Sequence, residues 1–488
     1  MLSLIKKPML DLQPREIWQQ FQVLCDTPRP SFEEDAIRQQ LFDWAIDRNL
    51  SAYIDPCGNL LIKKPATPGM QDRATIVLQG HLDIVAQKNS DSVHNFSTDP
   101  IQTVIEDGWI TAVGTTLGAD NGIGVAAALA VLASDDIAHG PIEALFTIEE
   151  ETSLRGATEL ESGILAGKIL LNLDSEDRGD VYIGCAGGVD INGSKQFETI
   201  NSSSCASSYE IKICGLRGGH SGLDIHKGIA SANVLLARLL YQLNRDTDFS
   251  LSSLNGGTLR NAIAREAVAT IFCSESEVEK ISAIIDRQLS QFKSELKGVD
   301  DYLDIRLRPD SSQSSQVLSK TDQSQLINLI YSLPHGVDSM SRDLAGVTHT
   351  SNNLGVVTLT QGAFEVCLLA RSLEDSKTQA MADKVAACLQ LAGLSSQFES
   401  PYPGWLPEPN TGLLKQFLEI HQQEMGFAAA VKVIHAGLEC GIIGAKYPGM
   451  QMVSFGPNIR GAHSPDERLE ISSVGDFWRL LVKLLASL

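Results

Sequence analysis

Histidine and carboxylate residues recur along this 488-residue chain at positions that follow apolar segments or lie in glycine-rich turns. The set comprises His81, Asp83, Asp120, Glu150, Glu151, Asp174 and His463. Imidazole nitrogens and carboxylate oxygens are ligands that zinc takes from proteins, and pairs of metal ions held by such groups catalyse hydrolysis. The sequence therefore predicts a two-metal hydrolase.

Each member of this set also has an ordinary structural interpretation. His81 and Asp83 are compatible with a polar loop after a strand, and Asp120 is compatible with a helix N-cap. Asp174 and the glutamates at 149–151 are compatible with solvated acidic turns, and His463 is compatible with an ordinary loop histidine. All of these interpretations would have to hold together, whereas one metal centre accounts for the whole set.

The three adjacent glutamates at 149–151 follow the apolar run at 142–148. One carboxylate of such a run can bind metal while an unligated neighbour takes a proton from water. Because a nearby dication lowers the pKa of water toward ~7, a carboxylate can act as general base near neutrality. The run thus favours a hydrolytic metal site.

Buried strands must position these residues. Apolar segments at 74–79, 142–148 and 169–173 predict such strands, and candidate ligands follow each of them. Helical spacing predicts helices over 14–24 and 31–49, the second of which starts with a Ser-x-x-Glu capping pattern at its first residue. This alternation predicts an α/β fold with a mostly parallel sheet, in which sites form at the carboxyl ends of strands.

The middle of the chain has a different pattern. Strand and helix signals over 209–296 recur in a similar order over 302–391, which predicts an inserted α+β domain built from a duplicated unit. A turn sequence at 402–405 marks the predicted return. We therefore predict a discontinuous catalytic domain at 1–190 and 400–488, with an inserted lid domain at 191–399.

Composition argues against several classes of partner and location. The net charge of -21 disfavours nucleic acid and anionic membrane as partners. The nine cysteines are scattered and include no Cys-x-x-Cys pair, which favours free thiols in a reducing compartment. No apolar run is long enough to span a bilayer, and residues 1–12 lack the features of a secretory signal. The predicted location is cytoplasmic.

Longer motifs narrow the class of enzyme. Besides the candidate ligands, the chain contains RGGHSGLDIH at 217–226, RNAIARE at 260–266 and HAGLECG at 435–441. With these motifs in this order, the chain resembles the M20 family of di-zinc metallopeptidases. Within that family it resembles the aminoacyl-histidine dipeptidases, also called cytosolic non-specific or β-alanyl-histidine dipeptidases. The resemblance runs from about residue 14 to the C-terminus.

The resemblance implies how the ligands are shared between two zinc ions. His81 and Asp174 would bind one ion, Glu151 and His463 would bind the other, and Asp120 would bridge the two. Manganese or cobalt stays open as an alternative, because the same ligands accept several divalent metals.

The resemblance also implies catalytic and substrate-binding roles. Asp83 would orient the His81 ring, Glu150 would be the general base, and His220 would stabilise the oxyanion from the inserted domain. The residues expected to contact the substrate or to lie near it are Asn261, Arg371, His435 and Glu439. A guanidinium suits the terminal carboxylate of a dipeptide, although a surface position on a strand accounts for Arg371 equally well.

The activity implied by the resemblance is hydrolysis of short peptides, preferentially Xaa-His dipeptides, by metal-activated water. An N-acyl amino acid deacylase of the same fold is the alternative. A non-catalytic binding protein is disfavoured because every ligand and base position is filled, and a phosphate-handling enzyme is disfavoured because no basic cluster accompanies the ligands. Relatives also imply a homodimer formed through the inserted domain.

Overall fold

The structure is a computed structural model that describes residues 9–310 and 316–488. Residues 1–8, where the predicted catalytic domain begins, lie outside the described residues. The chain divides into two compact units. The first unit comprises Met1–Gly184, Pro407–Val433 and Leu438–Leu488, and the second comprises Cys185–Leu406 and Ile434–Gly437.

The helices and strands have the following bounds. The helices are α1 (Arg15–Asp26), α2 (Asp35–Asp47), α3 (Ala119–Ala133), α4 (Glu150–Ser153), α5 (Arg155–Thr158), α6 (Ala232–Asp246), α7 (Glu275–Glu295), α8 (Lys320–Ser332), α9 (Asp375–Leu391), α10 (Gly412–Met425), α11 (Glu439–Lys446) and α12 (Ile471–Ser487). The strands are β1 (Ser51–Ile54), β2 (Leu60–Lys64), β3 (Ile76–His81), β4 (Thr103–Glu106), β5 (Trp109–Ala112), β6 (Ile142–Thr147), β7 (Ile169–Asn172), β8 (Asp180–Cys185), β9 (Gly187–Gln196), β10 (Thr199–Asn201), β11 (Ser207–Cys214), β12 (Gly219–His220), β13 (Phe249–Gly256), β14 (Ala262–Ile263), β15 (Ala267–Cys273), β16 (Asp304–Pro309), β17 (Gln316–Leu318), β18 (Gly336–Met340), β19 (Thr348–Thr360), β20 (Ala363–Ser372), β21 (Ser395–Tyr402), β22 (Ala430–Ile434), β23 (Gln451–Ser454), β24 (Ile459–Arg460) and β25 (Arg468–Glu470).

An eight-stranded sheet forms the centre of the first unit, in the order β1-β2-β6-β3-β7-β23-β8-β22. The four middle strands, β6, β3, β7 and β23, are parallel to one another, and antiparallel pairs flank them. Every residue of β3 and of β6 is buried, because helices cover both faces of such a sheet. The predicted α/β fold with a largely parallel sheet is confirmed.

The parallel arrangement brings the candidate ligands to one edge of this sheet. His81 ends β3 and pairs in register with Thr147, which ends β6. On the other side of β3, Gln79 pairs with Asn172, which ends β7. The residues that follow these strands, including the glutamates at 149–151 and Asp174, therefore emerge beside His81.

The predicted start of the second helix is wrong. Helix α2 begins at Asp35 with Glu34 as its N-cap, and Ser31 does not cap it. Instead, the Ser31 hydroxyl donates a hydrogen bond to Asp83 Oδ2 at 2.7 Å. A local Ser-x-x-Glu pattern could not indicate this acceptor, because Asp83 reaches Ser31 only through the tertiary fold.

An antiparallel sheet of nine strands forms the second unit, in the order β16-β11-β15-β13-β19-β20-β9-β21, with β18 paired to β19. Its two halves have matching strand orders. One half runs β11-α6-β13-β15-α7-β16 along the chain, and the other runs β9-α8-β19-β20-α9-β21. In each half the last strand lies beside the first, as in ferredoxin-like βαββαβ units.

One assignment within the predicted repeat is wrong. The strand expected at 302–307 is β16, which pairs with β11 and so completes the first half. The first strand of the other half is β9, which precedes the whole first half in the chain and pairs with β20 and β21. Order along the chain could not reveal this nesting. The duplication itself stays a prediction.

Across the part of the chain that the structure describes, no helix combines the length and apolar character needed to cross a membrane.

Candidate active site

His81 presents one ring nitrogen to a group of carboxylates. Its Nδ1 lies 3.1 Å from the backbone oxygen of Asp83, which can only accept, so Nδ1 carries a proton. In the neutral ring Nε2 then carries a lone pair and can only accept. It nevertheless faces two other acceptors, Asp120 Oδ1 at 3.1 Å and Asp174 Oδ1 at 3.4 Å. Acceptors that face one another in a buried site require a cation or a further proton between them.

Asp120 lies between two groups of potential ligands. Its Oδ1 approaches His81, and its Oδ2 lies 3.2 Å from Nε2 of His463, which is also 2.9 Å from Glu151 Oε2. Ligand atoms of His81, Asp120 and Asp174 lie within 4.8 Å of one another, and so do those of Asp120, Glu151 and His463. The two groups share Asp120 and no other residue.

Asp83 positions both the turn that carries the glutamates at 149–151 and the ring of His81. Its carboxylate is buried, with Oδ1 accepting from the backbone N–H of Glu150 at 3.0 Å and Oδ2 accepting from that of Glu151 at 3.2 Å. Asp83 Oδ1 also lies 3.4 Å from His81 Nδ1. One carboxylate therefore fixes the backbone of both glutamates relative to the His81 ring.

The three adjacent glutamates have different surroundings. Glu149 adopts a left-handed conformation with φ of 52°, and its carboxylate accepts from Arg155 Nε at 2.8 Å. Ligand atoms of Glu150 and Glu151 instead lie within 4.8 Å of those of His81. The solvated acidic turn is therefore wrong as an interpretation of Glu150 and Glu151.

The pKa shifts in this cluster indicate that its carboxylates lack compensating positive charge. Burial raises the pKa of Glu150 and of Asp174 well above the ordinary range, and it also raises the pKa of Glu151. Hydrogen bonds to Asp120 and Glu151 raise the pKa of His463 to about 11. One buried oxygen of Glu151, Oε1, has no hydrogen-bond partner among the described residues. These donors fit divalent cations, which would supply the missing charge.

Glu439 is a buried carboxylate of the first unit and begins α11. Its Oε2 accepts from Gln79 Nε2 at 2.5 Å and from Thr147 Oγ1 at 2.8 Å, at the carboxyl ends of β3 and β6. Its Oε1 has no hydrogen-bond partner among the described residues, and burial raises its pKa to about 7. Glu439 thus lies at the same sheet edge as the ligand cluster.

Two buried charged residues support the Asp120 loop and were not predicted from the sequence. The carboxylate of Glu467 accepts from backbone N–H groups of residues 117–120, at 2.7 to 3.3 Å. Arg29 donates to the backbone oxygens of Leu82, at 2.8 Å, and Gly118, at 2.7 Å. Their partners are distant in the chain, so no spacing pattern indicated them.

In the second unit, the backbone fixes the tautomer of His220. The N–H groups of Gly222 and Leu223 both donate to His220 Nδ1 at 3.1 Å. Since Nδ1 accepts, the proton of the neutral ring is on Nε2. Burial, assisted by the positive charge of Arg371, lowers the pKa of His220 and favours this neutral form. His220 is therefore a preset Nε2–H donor.

Arg371 is a buried cation of the second unit. It is 5% exposed, so the alternative of a surface position on the strand is wrong. Its guanidinium donates to the Tyr402 hydroxyl, but Nε has no hydrogen-bond partner and the group forms no ion pair among the described residues. The nearby Asp190 pairs instead with Arg260, at 2.7 Å. A buried guanidinium that forms no ion pair with the described residues suits a bound anion.

His435 lies in the second unit beside the His220 motif. Its Nε2 is 2.8 Å from the Ser351 hydroxyl, and its Nδ1 has no hydrogen-bond partner among the described residues. Burial, followed by the charge of Arg371, lowers its pKa to about 3. A Cβ at Gly222 would lie 2.1 Å from the backbone oxygen of His435, so only glycine permits these two motifs to meet.

Asn261 is exposed, and its position is set by backbone contacts. Its carbonyl accepts from the N–H of Ser221 at 2.8 Å, next to His220. The side chain of Asn353 donates to the carbonyls of residues 260 and 262, at 2.8 and 2.9 Å. These bonds bring the RNAIARE and RGGHSGLDIH motifs together within the second unit.

Comparison with known proteins places this geometry in context. Residues 77–487 match the profile of peptidase family M20/M25/M40. The cytosol non-specific dipeptidase of Escherichia coli (strain K12) is 41% identical over 474 residues, which cover 97% of this chain and 98% of that protein. The crystal structure of aminoacylhistidine dipeptidase from Vibrio alginolyticus is 42% identical with a TM-score of 0.91, and the match covers 99% of this chain and 98% of that chain. Aminopeptidase PepT from Bacillus cereus, 16% identical with a TM-score of 0.56 over 97% of this chain and 98% of that chain, shares the fold alone.

The shared position of Asp120 yields a prediction about metal binding. The two oxygens of Asp120 face both ligand groups. Asp120→Ala should therefore lower the binding affinity for both cations by more than the roughly 10- to 100-fold loss that is typical when an outer-shell residue is changed. His463→Ala should lower the affinity for one cation and leave the other bound. Zinc titration calorimetry and elemental analysis would measure this, with Glu149→Gln as the control because Glu149 pairs with Arg155. Two zinc ions bound to Asp120→Ala with wild-type affinity would contradict the prediction.

Proposed function

Because the chain belongs to peptidase family M20/M25/M40, we propose that it is a two-metal dipeptidase that preferentially cleaves Xaa-His dipeptides. These matches confirm the family and branch that the motifs indicated. The observation that carries the mechanism is the carboxylate of Asp120, which faces one histidine with each oxygen. The names of the two similar proteins, a cytosol non-specific dipeptidase and an aminoacylhistidine dipeptidase, support the substrate class and a cytosolic location.

Zinc is the proposed metal, with two ions per chain. His81 and Asp174 would hold one ion, Glu151 and His463 the other, and Asp120 would touch both, as the two ligand groups support. Manganese or cobalt would suit the same ligands. When bound, such ions polarise a scissile carbonyl and lower the pKa of an attacking water.

Glu150 is the proposed general base. It would take a proton from the attacking water and then deliver this proton to the leaving amine. The Glu150 carboxylate therefore returns to its starting protonation state after the amide bond is cleaved. The bond from its N–H to Asp83 Oδ1 supports this role, because it holds the glutamate turn in a single orientation. Asp83 would thus act by positioning both Glu150 and His81.

His220 is the proposed donor to the oxyanion of the tetrahedral intermediate. A neutral imidazole with its proton on Nε2 can donate without losing that proton, and the two N–H bonds to Nδ1 support this tautomer. A donor preset in this way needs no reorganisation as the negative charge develops.

Arg371 is the proposed partner of the substrate's terminal carboxylate. Its buried guanidinium has donor capacity left over, and a carboxylate can accept two parallel bonds from such a group. Recognition of this carboxylate would select substrates whose scissile bond lies next to a free C-terminus, and the limit to short substrates comes from the similarity to dipeptidases. Asn261, His435 and Glu439 stay predicted contacts near the substrate, and a homodimer stays a prediction.

A small substrate panel tests the reaction and its base. Wild-type protein loaded with zinc should cleave dipeptides, Xaa-His most rapidly, and Glu150→Gln should lower kcat by about 100- to 10,000-fold because proton transfer is lost. Zinc stoichiometry should be unchanged in Glu150→Gln, and Glu149→Gln should retain activity.

The same panel should include N-acyl amino acids. Cleavage of those compounds alone, by protein shown to hold two metal ions, would contradict the dipeptidase and favour the deacylase. Full activity of Glu150→Gln would remove Glu150 from the mechanism.

The tautomer of His220 predicts a specific kinetic effect. His220→Ala should lower kcat by about 100- to 1,000-fold with a small change in KM, because the donor acts on charge that develops after binding. His220→Gln retains an N–H donor and should recover part of the loss. Steady-state kinetics of both folded variants would measure this, and an effect confined to KM would argue against the oxyanion role.

The charge of Arg371, which forms no ion pair within the described ranges 9–310 and 316–488, predicts discrimination between an acid and an amide. Wild-type protein should cleave a dipeptide faster than its C-terminal amide, and Arg371→Met should remove about 10- to 100-fold of that preference through loss of charge-assisted bonds. The amide itself should be cleaved at similar rates by both proteins. An undiminished preference in Arg371→Met would assign carboxylate recognition elsewhere.

A further inference from the structure

Glu467 combines complete burial with an unusual set of partners. The residue is 2% exposed, and its two oxygens accept from the N–H groups of residues 117–120. Oε2 receives the N–H groups of residues 117 and 118, and Oε1 receives those of residues 119 and 120. One carboxylate thus satisfies the donors of the whole segment that ends at Asp120.

This arrangement differs from ordinary capping of a helix. The backbone of Asp120 (φ -79°, ψ 113°) and of Asn121 is not helical, so regular α3 geometry starts after them. Gly118 has a positive φ of 69°, which lets the chain turn so that successive N–H groups converge. Glu467 therefore binds the irregular loop that carries Asp120, and does not merely cap the first regular turn.

Arg29 holds the same loop through one of the loop's carbonyl groups. It donates to the oxygen of Gly118 at 2.7 Å and to that of Leu82 at 2.8 Å, beside His81. The loop is thus held by a carboxylate on its N–H groups and by a guanidinium on a carbonyl. Both contacts are buried within the first unit, where competing water is excluded.

Glu467 also belongs to the turn that carries His463. Its own N–H donates to the Ser464 oxygen at 3.0 Å, and a Cβ at Gly461 would lie 2.9 Å from the Asp466 oxygen. The turn is therefore compact, and a side chain from its end is bonded to the loop of Asp120. The carboxylate joins the two segments that supply Asp120 and His463.

We propose that Glu467 is a positioning residue of the metal centre, which holds the Asp120 carboxylate so that each oxygen faces a different cation. Without Glu467, the N–H groups of residues 117–120 would need other acceptors, and the carboxylate of Asp120 is a local one. Asp120 would then be drawn toward its own backbone and away from His81 and His463. The inference rests on the proposed function only in taking this cluster as a metal centre.

Glu143 provides a matched control. It is also a 2% exposed glutamate, and its Oε2 accepts from the N–H groups of Ala166 and Gly167 at 2.9 and 3.0 Å. It lies near the start of β6, whereas the ligand cluster lies beyond the end of that strand. Glu143→Gln therefore perturbs two comparable N–H bonds at the opposite edge of the sheet, together with the ion pair between Glu143 Oε1 and Lys63 Nζ at 2.7 Å.

The experiment compares zinc affinity in full-length wild type, Glu467→Gln and Glu143→Gln, by competition with a chelator, beside thermal unfolding of each metal-free protein. Both variants should lose thermal stability. Glu467→Gln alone should bind zinc about 10- to 100-fold more weakly, and cobalt substituted for zinc should give an altered visible spectrum. Excess zinc should restore part of the dipeptidase activity of Glu467→Gln.

Wild-type zinc affinity and cobalt spectrum in folded Glu467→Gln would overturn the inference, as would equal loss of affinity in Glu143→Gln. Should Glu467→Gln fail to fold, Glu467→Asp decides the matter, because its shorter arm keeps the charge but reaches fewer N–H groups. Unchanged affinity in that variant would also overturn it. Failure of the proposed function would look different, since a wild type that binds two zinc ions but cleaves no dipeptide leaves the affinity comparison intact.

Discussion

Mutual repulsion among closely grouped, half-buried carboxylates is the constraint that the fold of the first unit has to overcome. Asp120, Glu150, Glu151 and Asp174 offer oxygens around His81 and His463. Burial raises the pKa of Glu150, Glu151 and Asp174 above the ordinary range. Such an arrangement is unfavourable unless cations enter it. The parallel strands β6, β3 and β7 nevertheless bring these groups to one edge, because their backbone hydrogen bonds do not depend on the charges.

Backbone hydrogen bonds then separate acidic residues that composition alone would treat as alike. Asp83 accepts from the N–H groups of Glu150 and Glu151, and Glu467 accepts from those of residues 117–120. The oxygens of Asp83 and Glu467 already accept hydrogen bonds from the backbone, so these two carboxylates support the structure of the site. Glu151 retains a buried oxygen without a partner among the described residues, which leaves it available as a ligand. The role of each acid follows from what its oxygens already bind.

The sequence predicted most of the elements and the residues that the structure brings together as a cluster, but not the residues that support them. Strands β3, β6 and β7 were predictable because each is a short apolar run, and parallel strands place the residues after them together. Glu467 and Arg29 bind partners that are distant along the chain, so no local period marks them. The same limit explains the wrong role of Ser31 and the misplaced first strand of the second half-sheet, which required knowledge of long-range pairing.

Backbone hydrogen bonds set different tautomers for His81 and His220, and the two imidazoles therefore have different chemical properties. His81 donates from Nδ1 to a carbonyl oxygen, so its Nε2 lone pair faces Asp120 and can bind a cation. His220 accepts at Nδ1 from two N–H groups, so its Nε2 carries the proton and can only donate. A cation near Nε2 of His220 would be repelled by that proton, and an oxyanion near Nε2 of His81 would be repelled by the lone pair. The local backbone therefore excludes each histidine from the role that we propose for the other.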